Sequence, residues 1–182
     1  LCSEITLPTG NDNKGNDRTA VCCLSSLNLE TYDEWKDEPQ FIEDVMRFLD
    51  NVMSDFINKA PDTFKDAKYS AMRERSVGLG VMGLHSFFQQ KGIPFGSVMS
   101  KVWNQKIFKH IHEKANEASV KLAEERGPCP DAEEYGIKER FSNKTAIAPT
   151  ASISVICGGA SPGIEPIAAN SYTHKTLSGS FN

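Results

Sequence analysis

Long segments of helical periodicity separate the short strand-like runs of this chain, and that spacing restricts the fold more than any other feature. Strands joined by several turns of helix pair in parallel, whereas an antiparallel pair needs only a short hairpin. Residues 1–7 read as extended, 8–17 as a Gly/Asn/Asp-rich loop unable to hold regular structure, and 19–24 as a strand. Asp37 to Pro39 resembles a helix entry. Phe41, Ile42, Val45, Met46, Phe48, Leu49, Val52, Met53, Phe56 and Ile57 then recur over a broad helical face, which predicts burial against more than one neighbour. Residues 75–81 read as a strand interrupted by glycines, followed by a helix over about 82–90 that Gly92 and Pro94 end. Ser97 is placed as the N-cap of a long amphipathic helix to Arg126. Its stripe runs Val98, Val102, Ile107, Ile111, Ala115, Ala118 and Leu122, and Gly127-Pro128 stops it. Residues 144–148 read as a strand, 149–154 as a Ser/Thr-rich turn and 158–166 as a chain of turns. The expected class is α/β with parallel pairing, without internal repeats or low-complexity segments.

At 182 residues, 39% of them apolar, the chain is in the range of one soluble globular domain. Its formal charge of −4 gives no basic field for a nucleic-acid polymer, while a single nucleotide needs only a local phosphate site. No apolar run approaches the roughly 18–20 residues that cross a bilayer, and no signal-like stretch opens the sequence. No membrane partner is expected, and a cytoplasmic location is. The cysteines Cys2, Cys22, Cys23, Cys129 and Cys157 form an odd set without small-scaffold spacing, so a disulfide here is expected to be catalytic rather than structural. The ends, at Leu1 and Asn182, read as those of a piece of something longer.

Three places carry chemistry. In Cys2-Ser3-Glu4 the thiol and carboxylate are two apart in an extended segment, on the same side and roughly 7 Å apart along the chain, so both can address one small substrate. A buried cysteine beside a surface glutamate would give the same pattern. In Val21-Cys22-Cys23-Leu24 adjacent strand residues face opposite ways, so at most one of the two thiols looks toward Cys2, and vicinal cysteines are poor disulfide partners for each other. The alternative is that both are packed. In Pro149-Thr150-Ala151-Ser152-Ile153-Ser154 a strand ends and small hydroxyl residues precede a helix start. That arrangement binds an anion without Lys or Arg, and an ordinary N-cap has the same pattern.

Gly78-Leu79-Gly80-Val81-Met82-Gly83 matches G-x-G-x-x-G, but no acid stands about 20 positions on, around Ser100 and Lys101. The glycines are read instead as points where strand and helix approach other backbone closely. His110 and His112 are two apart on a helix and point in different directions, and Cys129 and Cys157 lack metal-type spacing, so no metal site is expected.

Four motifs occur in a fixed order: Leu1-Cys2-Ser3-Glu4-Ile5 with Thr6-Leu7-Pro8-Thr9; Cys22-Cys23-Leu24-Ser25-Ser26-Leu27-Asn28-Leu29; Gly78-Leu79-Gly80-Val81-Met82-Gly83-Leu84; and Ala146-Ile147-Ala148-Pro149-Thr150-Ala151-Ser152-Ile153-Ser154. Together they resemble the large, catalytic subunit of class I ribonucleotide reductases. Gly163-Ile164-Glu165-Pro166 and Lys175-Thr176-Leu177-Ser178-Gly179 extend the resemblance over nearly the whole chain, which covers only the middle of the family's longer subunit. The resemblance implies part of a ten-stranded α/β barrel built from two antiparallel halves. Residues 1–182 would be a partial catalytic barrel domain, from the finger loop of the radical cysteine to the segment holding substrate phosphates. It implies that Cys2, as a thiyl radical, takes hydrogen from the ribose 3′ carbon, that Glu4 acts as base on the 3′ hydroxyl, and that Cys22 is one of two cysteines that finish as a disulfide. The register of Leu24-Ser25-Ser26-Leu27-Asn28-Leu29 selects Cys22 over Cys23, and the family partner of Cys22 precedes Leu1.

The implied substrate is a ribonucleoside diphosphate, reduced for DNA synthesis, with residues 149–154 at its phosphates. No cofactor is expected in this chain. The radical would come from a separate metal-containing small subunit, or from adenosylcobalamin in a class II relative. Expected partners are that small subunit, thioredoxin or glutaredoxin, and the remainder of the large subunit. A different reading makes the chain a non-catalytic assembly module of a split subunit. The family's Asn before the radical cysteine, its tail cysteines, its relay tyrosines and its effector region are not in this sequence. The piece alone is therefore expected to lack activity and to expose apolar patches.

Overall fold

The structure, a computed structural model, describes residues 5–169, 171, 173–176 and 179–181. Cys2, Ser3 and Glu4 lie outside the described residues. In chain order the elements are β1 (Gly10–Asn11), β2 (Asp17–Arg18), β3 (Cys23–Asn28), α1 (Tyr32–Trp35), α2 (Phe41–Lys59), α3 (Lys65–Glu74), β4 (Val77–Met82), α4 (Leu84–Gln90), α5 (Val98–Arg126), α6 (Pro130–Glu133), α7 (Ile153–Ile156), β5 (His174–Thr176) and β6 (Gly179–Phe181). β1 pairs antiparallel with β2, and β5 with β6.

β3 and β4 run parallel, in register from Cys23 opposite Val77 to Asn28 opposite Met82. A third stretch joins the other side of β4, where Thr145 bridges Leu79 in parallel. There the Val77 and Leu79 amides donate to the Asn143 and Lys144 carbonyls at 3.0 and 2.9 Å, and Ala146 N donates to Leu79 O at 3.1 Å. The parallel α/β expectation therefore holds locally. The strand expected at 19–24 begins at Cys23 instead, because β4 offers Cys23 and the residues after it their partners. The loop at 8–17, expected to hold no regular structure, contains β1 and the start of β2. Asp12 closes it, its Oδ1 accepting from the amides of Lys14 at 2.9 Å and Asn16 at 3.0 Å, an Asx turn that sets Gly10 opposite Arg18.

All six β4 residues are buried, and they divide by face. Val77, Leu79 and Val81 join Leu27 in the core with α2, α4 and α5. Gly78 and Gly80 turn to the opposite face, because successive strand residues alternate. A Cβ on Gly80 would overlap the Ala146 carbonyl oxygen, and one on Gly78 would overlap Leu24 Cδ2 and stand 2.8 Å from Ala146 Cβ. Two of the three glycines in the G-x-G-x-x-G match thus lie inside a strand and admit its neighbours. Gly80→Ala is expected to force backbone apart and to cost about 1–3 kcal/mol. Gly78→Ala is expected to cost a similar amount, because the Leu24 side chain can swing away but Ala146 Cβ moves only with its backbone. Melting of the complete subunit measures both, and an unshifted Gly80→Ala would contradict the close strand approach.

α2 puts Ile42, Met46, Leu49 and Met53 into the core, with Phe41, Val45, Phe56 and Ile57 packed at its margin. Phe48 and Val52, also expected on that face, are 62% and 39% exposed. The helix stops at Ala60, whose ψ of 129° is the extended conformation that Pro61 imposes on the residue before it. α5 begins as expected, with Ser97 Oγ accepting from Ser100 N at 3.1 Å, and ends at Gly127. Its stripe is buried from Ile107 to Leu122, but Val98 and Val102, expected in the same stripe, are 77% and 49% exposed because they stand on the opposite side of the helix from Ile107, while Ser100 on the inward side is buried. Apolar surface is also open beside the stretch bridged to β4, where a cavity of about 590 Å³ is lined by Leu79, Val81, Phe108, Ile111, Thr145 and Ile147.

The helical layer is locked by one carboxylate. Asp50 on α2 is fully buried, and its Oδ1 accepts from Arg75 Nε and Nη2 at 3.0 and 2.5 Å and from Arg140 Nε at 2.9 Å. Its Oδ2 accepts from Arg126 Nη1 at 2.7 Å. Arg140 Nη1 also donates to the carbonyls of Arg126 and Gly127, at 3.0 and 2.9 Å, so part of the surplus positive charge meets the negative end of α5. Arg75 holds a left-handed φ of 44°, a strained value for a residue with a side chain. Its bonds to Asp50 and to Ser54 Oγ, the latter at 2.7 Å, fix it there.

Candidate functional site

The site is built on the glycine-bared face of the sheet and on the loops that leave the strands at their C-terminal ends. Cys22 immediately precedes β3. Its Sγ lies 3.3 Å from where a Gly78 Cβ would stand, which places the thiol on the glycine side. Cys23 packs against the core on the helix side. The two thiols therefore face opposite ways. Burial pushes the Cys23 thiol up from its ordinary value, against the pull of the Arg75 cation, and so lowers its thiolate fraction at neutral pH. Cys129 is fully buried with its Sγ 3.5 Å from Ser142 Oγ, and Cys157 is half-buried. Cys22, Cys23, Cys129 and Cys157 are all outside any disulfide among the described residues.

The strand expected at 144–148 is reduced to the bridge at Thr145, and that stretch leads into the 149–154 segment. Thr150 is left-handed at φ 53°, a conformation that costs a threonine roughly 1–2 kcal/mol. Gly163 N donates to Thr150 Oγ1 at 2.8 Å and fixes that side chain. Thr150 O accepts from Ser154 N at 2.9 Å, closing one turn around Ala151 and Ser152. The amides of Ala151, Ser152 and Ile153 have no hydrogen-bond partner among the described residues, and all three residues are exposed, as is Pro149. Ser152 sits at the N-cap position of α7 but makes no side-chain cap bond, so the ordinary capping role is not the one its hydroxyl plays. Ser154 is 1% exposed and its Oγ donates to Ala151 O at 3.3 Å, so it braces the turn from within. The following helix is only the single turn Ile153–Ile156. What the segment offers an anion is consequently three exposed amides, the Ser152 hydroxyl and the proton of Thr150 Oγ1, rather than a long helix dipole.

The segment is fastened to the end of β4 by residues without a strong sequence signal. Gly83, at the N-cap of α4, donates its amide to Ser161 O at 2.7 Å. Ser86 N donates to Ser161 Oγ at 3.1 Å, and Ser161 N donates to Ser86 Oγ at 2.9 Å. Ile167 N donates to His85 Nδ1 at 2.8 Å, which leaves the proton of a neutral ring on Nε2. The turn-rich composition of 158–166 was the only hint of this anchor. The two helical histidines are separate, His110 Nδ1 lying 3.2 Å from Tyr32 Oη and His112 Nε2 lying 3.0 Å from Asn116 Nδ2.

This geometry has relatives. Over residues 1–139 and 131–182 the chain matches the family described as ribonucleotide reductase, barrel domain. It is 52% identical over 180 residues to the ribonucleoside-diphosphate reductase large subunit of Invertebrate iridescent virus 6, an alignment covering 99% of this chain and 18% of that protein. It is 36% identical over 169 residues to a vitamin B12-dependent ribonucleoside-diphosphate reductase of Thermoplasma acidophilum, covering 87% of this chain and 21% of the relative. Among solved structures it superposes on the Actinobacillus ureae class Id ribonucleotide reductase alpha subunit with a TM-score of 0.85 and 42% identity, over 94% of this chain and 32% of that one. The chain thus spans about a fifth of the length of these two curated relatives.

Proposed function

The chain belongs to the ribonucleotide reductase family, as part of the α/β barrel of the large subunit, and from that premise we propose that it carries the radical cysteine, one redox cysteine and the phosphate site of a ribonucleoside-diphosphate reductase. The observation that carries this reading is the 149–154 turn, which presents three amides without a hydrogen-bond partner among the described residues, just after the stretch bridged to β4, the strand whose glycine face receives Cys22. The acidic chain needs such local donors to meet a diphosphate.

In the proposed reaction Cys2, as a thiyl radical, removes the hydrogen atom from the ribose 3′ carbon and becomes a thiol. Glu4 accepts the 3′ hydroxyl proton, a role suited to a carboxylate within hydrogen-bond reach. The 2′ hydroxyl then takes up a proton and leaves as water. Two electrons and the hydrogen that replaces the hydroxyl come from Cys22 and a second cysteine outside this chain, which end joined by a disulfide. Cys2 finally returns its hydrogen to the 3′ carbon and is again a radical. The alternating faces of Cys22 and Cys23 and the raised pKa of the Cys23 thiol support Cys22 as the exchanging group. Thioredoxin or glutaredoxin would reduce the disulfide.

A radical source outside this chain is part of the same proposal. Similarity to a large subunit and to a class Id alpha subunit favours a separate metal-containing small subunit, and the vitamin B12-dependent relative supports adenosylcobalamin as the second reading. A cytoplasmic location fits the proposed reduction of the disulfide by thioredoxin or glutaredoxin.

Ser152 tests the phosphate site. In the complete subunit with effector present, Ser152→Asp is expected to weaken diphosphate binding sharply, since lost donors add to repulsion. Ser152→Ala should cost about 1–2 kcal/mol for one hydrogen bond to a charged group. Unaltered substrate affinity in Ser152→Asp would place the phosphates elsewhere.

A further inference from the structure

We propose that Ser86 and Ser161 are positioning residues that hold the 149–154 turn in its anion-receiving shape without touching the substrate, an inference that rests on the phosphate reading above. Gly83, the N-cap residue of α4, has no side chain with which to satisfy the helix's first amides. Ser161 performs that service from a distant segment. Its carbonyl takes the Gly83 amide at 2.7 Å and its hydroxyl takes the Ser86 amide at 3.1 Å. Ser86 returns the bond, its own hydroxyl accepting from Ser161 N at 2.9 Å. Both serines are buried, 7% and 1% exposed, so water does not replace a lost partner cheaply.

Ser161 is two residues from Gly163, and that short span carries the constraint forward. Gly163 N donates to Thr150 Oγ1 at 2.8 Å, and Thr150 in turn closes the turn through Ser154 N. Thr150 sits in a left-handed conformation that it would leave if released. With one lone pair held by Gly163, its hydroxyl proton is free to point outward as a donor. A continuous series of bonds therefore runs from the end of β4 through Ser161, Gly163 and Thr150 to the three unpartnered amides. Ile167 is tethered independently to His85, so breaking the serine pair lets the turn reorient while the segment stays attached.

The test uses the complete subunit with effector present, measuring Kd for cytidine diphosphate and for cytidine. Ser161→Ala and Ser86→Ala are each expected to raise Kd for the diphosphate about tenfold while leaving that for cytidine unchanged. The double variant should be little worse than either single one, because the reciprocal bonds act as a unit. KM for the diphosphate should rise by more than kcat falls. If Ser161→Ala does not fold, Ser86→Ala carries the same comparison, since it leaves the Ser161 hydroxyl in place. Equal weakening of cytidine and cytidine diphosphate would make the pair merely structural and overturn the proposal. Parent-like discrimination in both variants would also overturn it, leaving the phosphate reading intact if Ser152→Asp weakens the diphosphate. If Ser152→Asp has no effect either, that reading falls and the positioning role falls with it.

Discussion

Cys2→Ser in the complete subunit is expected to abolish turnover while leaving nucleotide binding nearly unchanged. Serine keeps the size of the side chain, so binding surfaces are preserved, but its O–H bond is far stronger than S–H and the radical does not form. Each decade of rate corresponds to 1.36 kcal/mol of barrier, so a penalty of only about 5.5 kcal/mol already reduces kcat about 10⁴-fold. The bond-strength difference exceeds that. Glu4→Gln should slow the reaction to a smaller extent, because it removes a base and leaves the hydrogen-atom acceptor in place. Substrate affinity and single-turnover rate, measured on the same preparation, separate the two. A serine variant that turns over at more than a trace would remove Cys2 from the radical role.

The largest expected effect on stability is at Asp50. Asp50→Asn leaves Arg75, Arg126 and Arg140 converging on a neutral amide, and breaking a buried ionic cluster from one side typically costs about 3–5 kcal/mol. Burial pushes the Asp50 carboxyl up, but the three guanidiniums, Arg140 foremost, outweigh it and hold the group below its ordinary 3.8. A depressed carboxylate contributes its full stability above the unfolded value and loses it as the pH falls through the folded one. The gap in melting temperature between parent and Asp50→Asn should therefore be wide at neutral pH and close as the pH drops below about 4. A variant that melts with the parent at pH 7 would show that the cluster contributes little.

What could be read in advance follows from where each signal resides. α5 was legible because its instructions are local: a serine that caps, an apolar period of one face, a glycine that stops it. Val98 and Val102, nine and five positions before Ile107, fall on the opposite side of the helix from the buried stripe and are exposed, so an apolar residue near the start of a helix is not by itself a member of its inward face. The start of β3 was misplaced because Thr19 and Val21 have strand-like chemistry, and only pairing with β4 decides which residues enter the ladder. The phosphate turn was legible as a motif, but the inward direction of Ser154 and the left-handed Thr150 depend on Gly163, which the sequence places among undifferentiated turns. The Asp50 cluster and the Ser86–Ser161 pair left no local trace, because their partners meet only after the chain has folded across long separations. Cys2 and Glu4 rest on the motif alone.

The parallel ladder between β3 and β4 also imposes an order in time. β3 is made first, and its partner emerges roughly fifty residues later, an interval of about 3–10 s at ordinary rates of synthesis. Helices form in microseconds, so α2 and α3 can assemble while the strand that precedes them still waits in water. During that wait both vicinal thiols are accessible, and neither has yet acquired its side of the sheet. The difference between a reactive Cys22 and a suppressed Cys23 is thus a property acquired on folding, and a nascent chain meeting an oxidant would not discriminate between them.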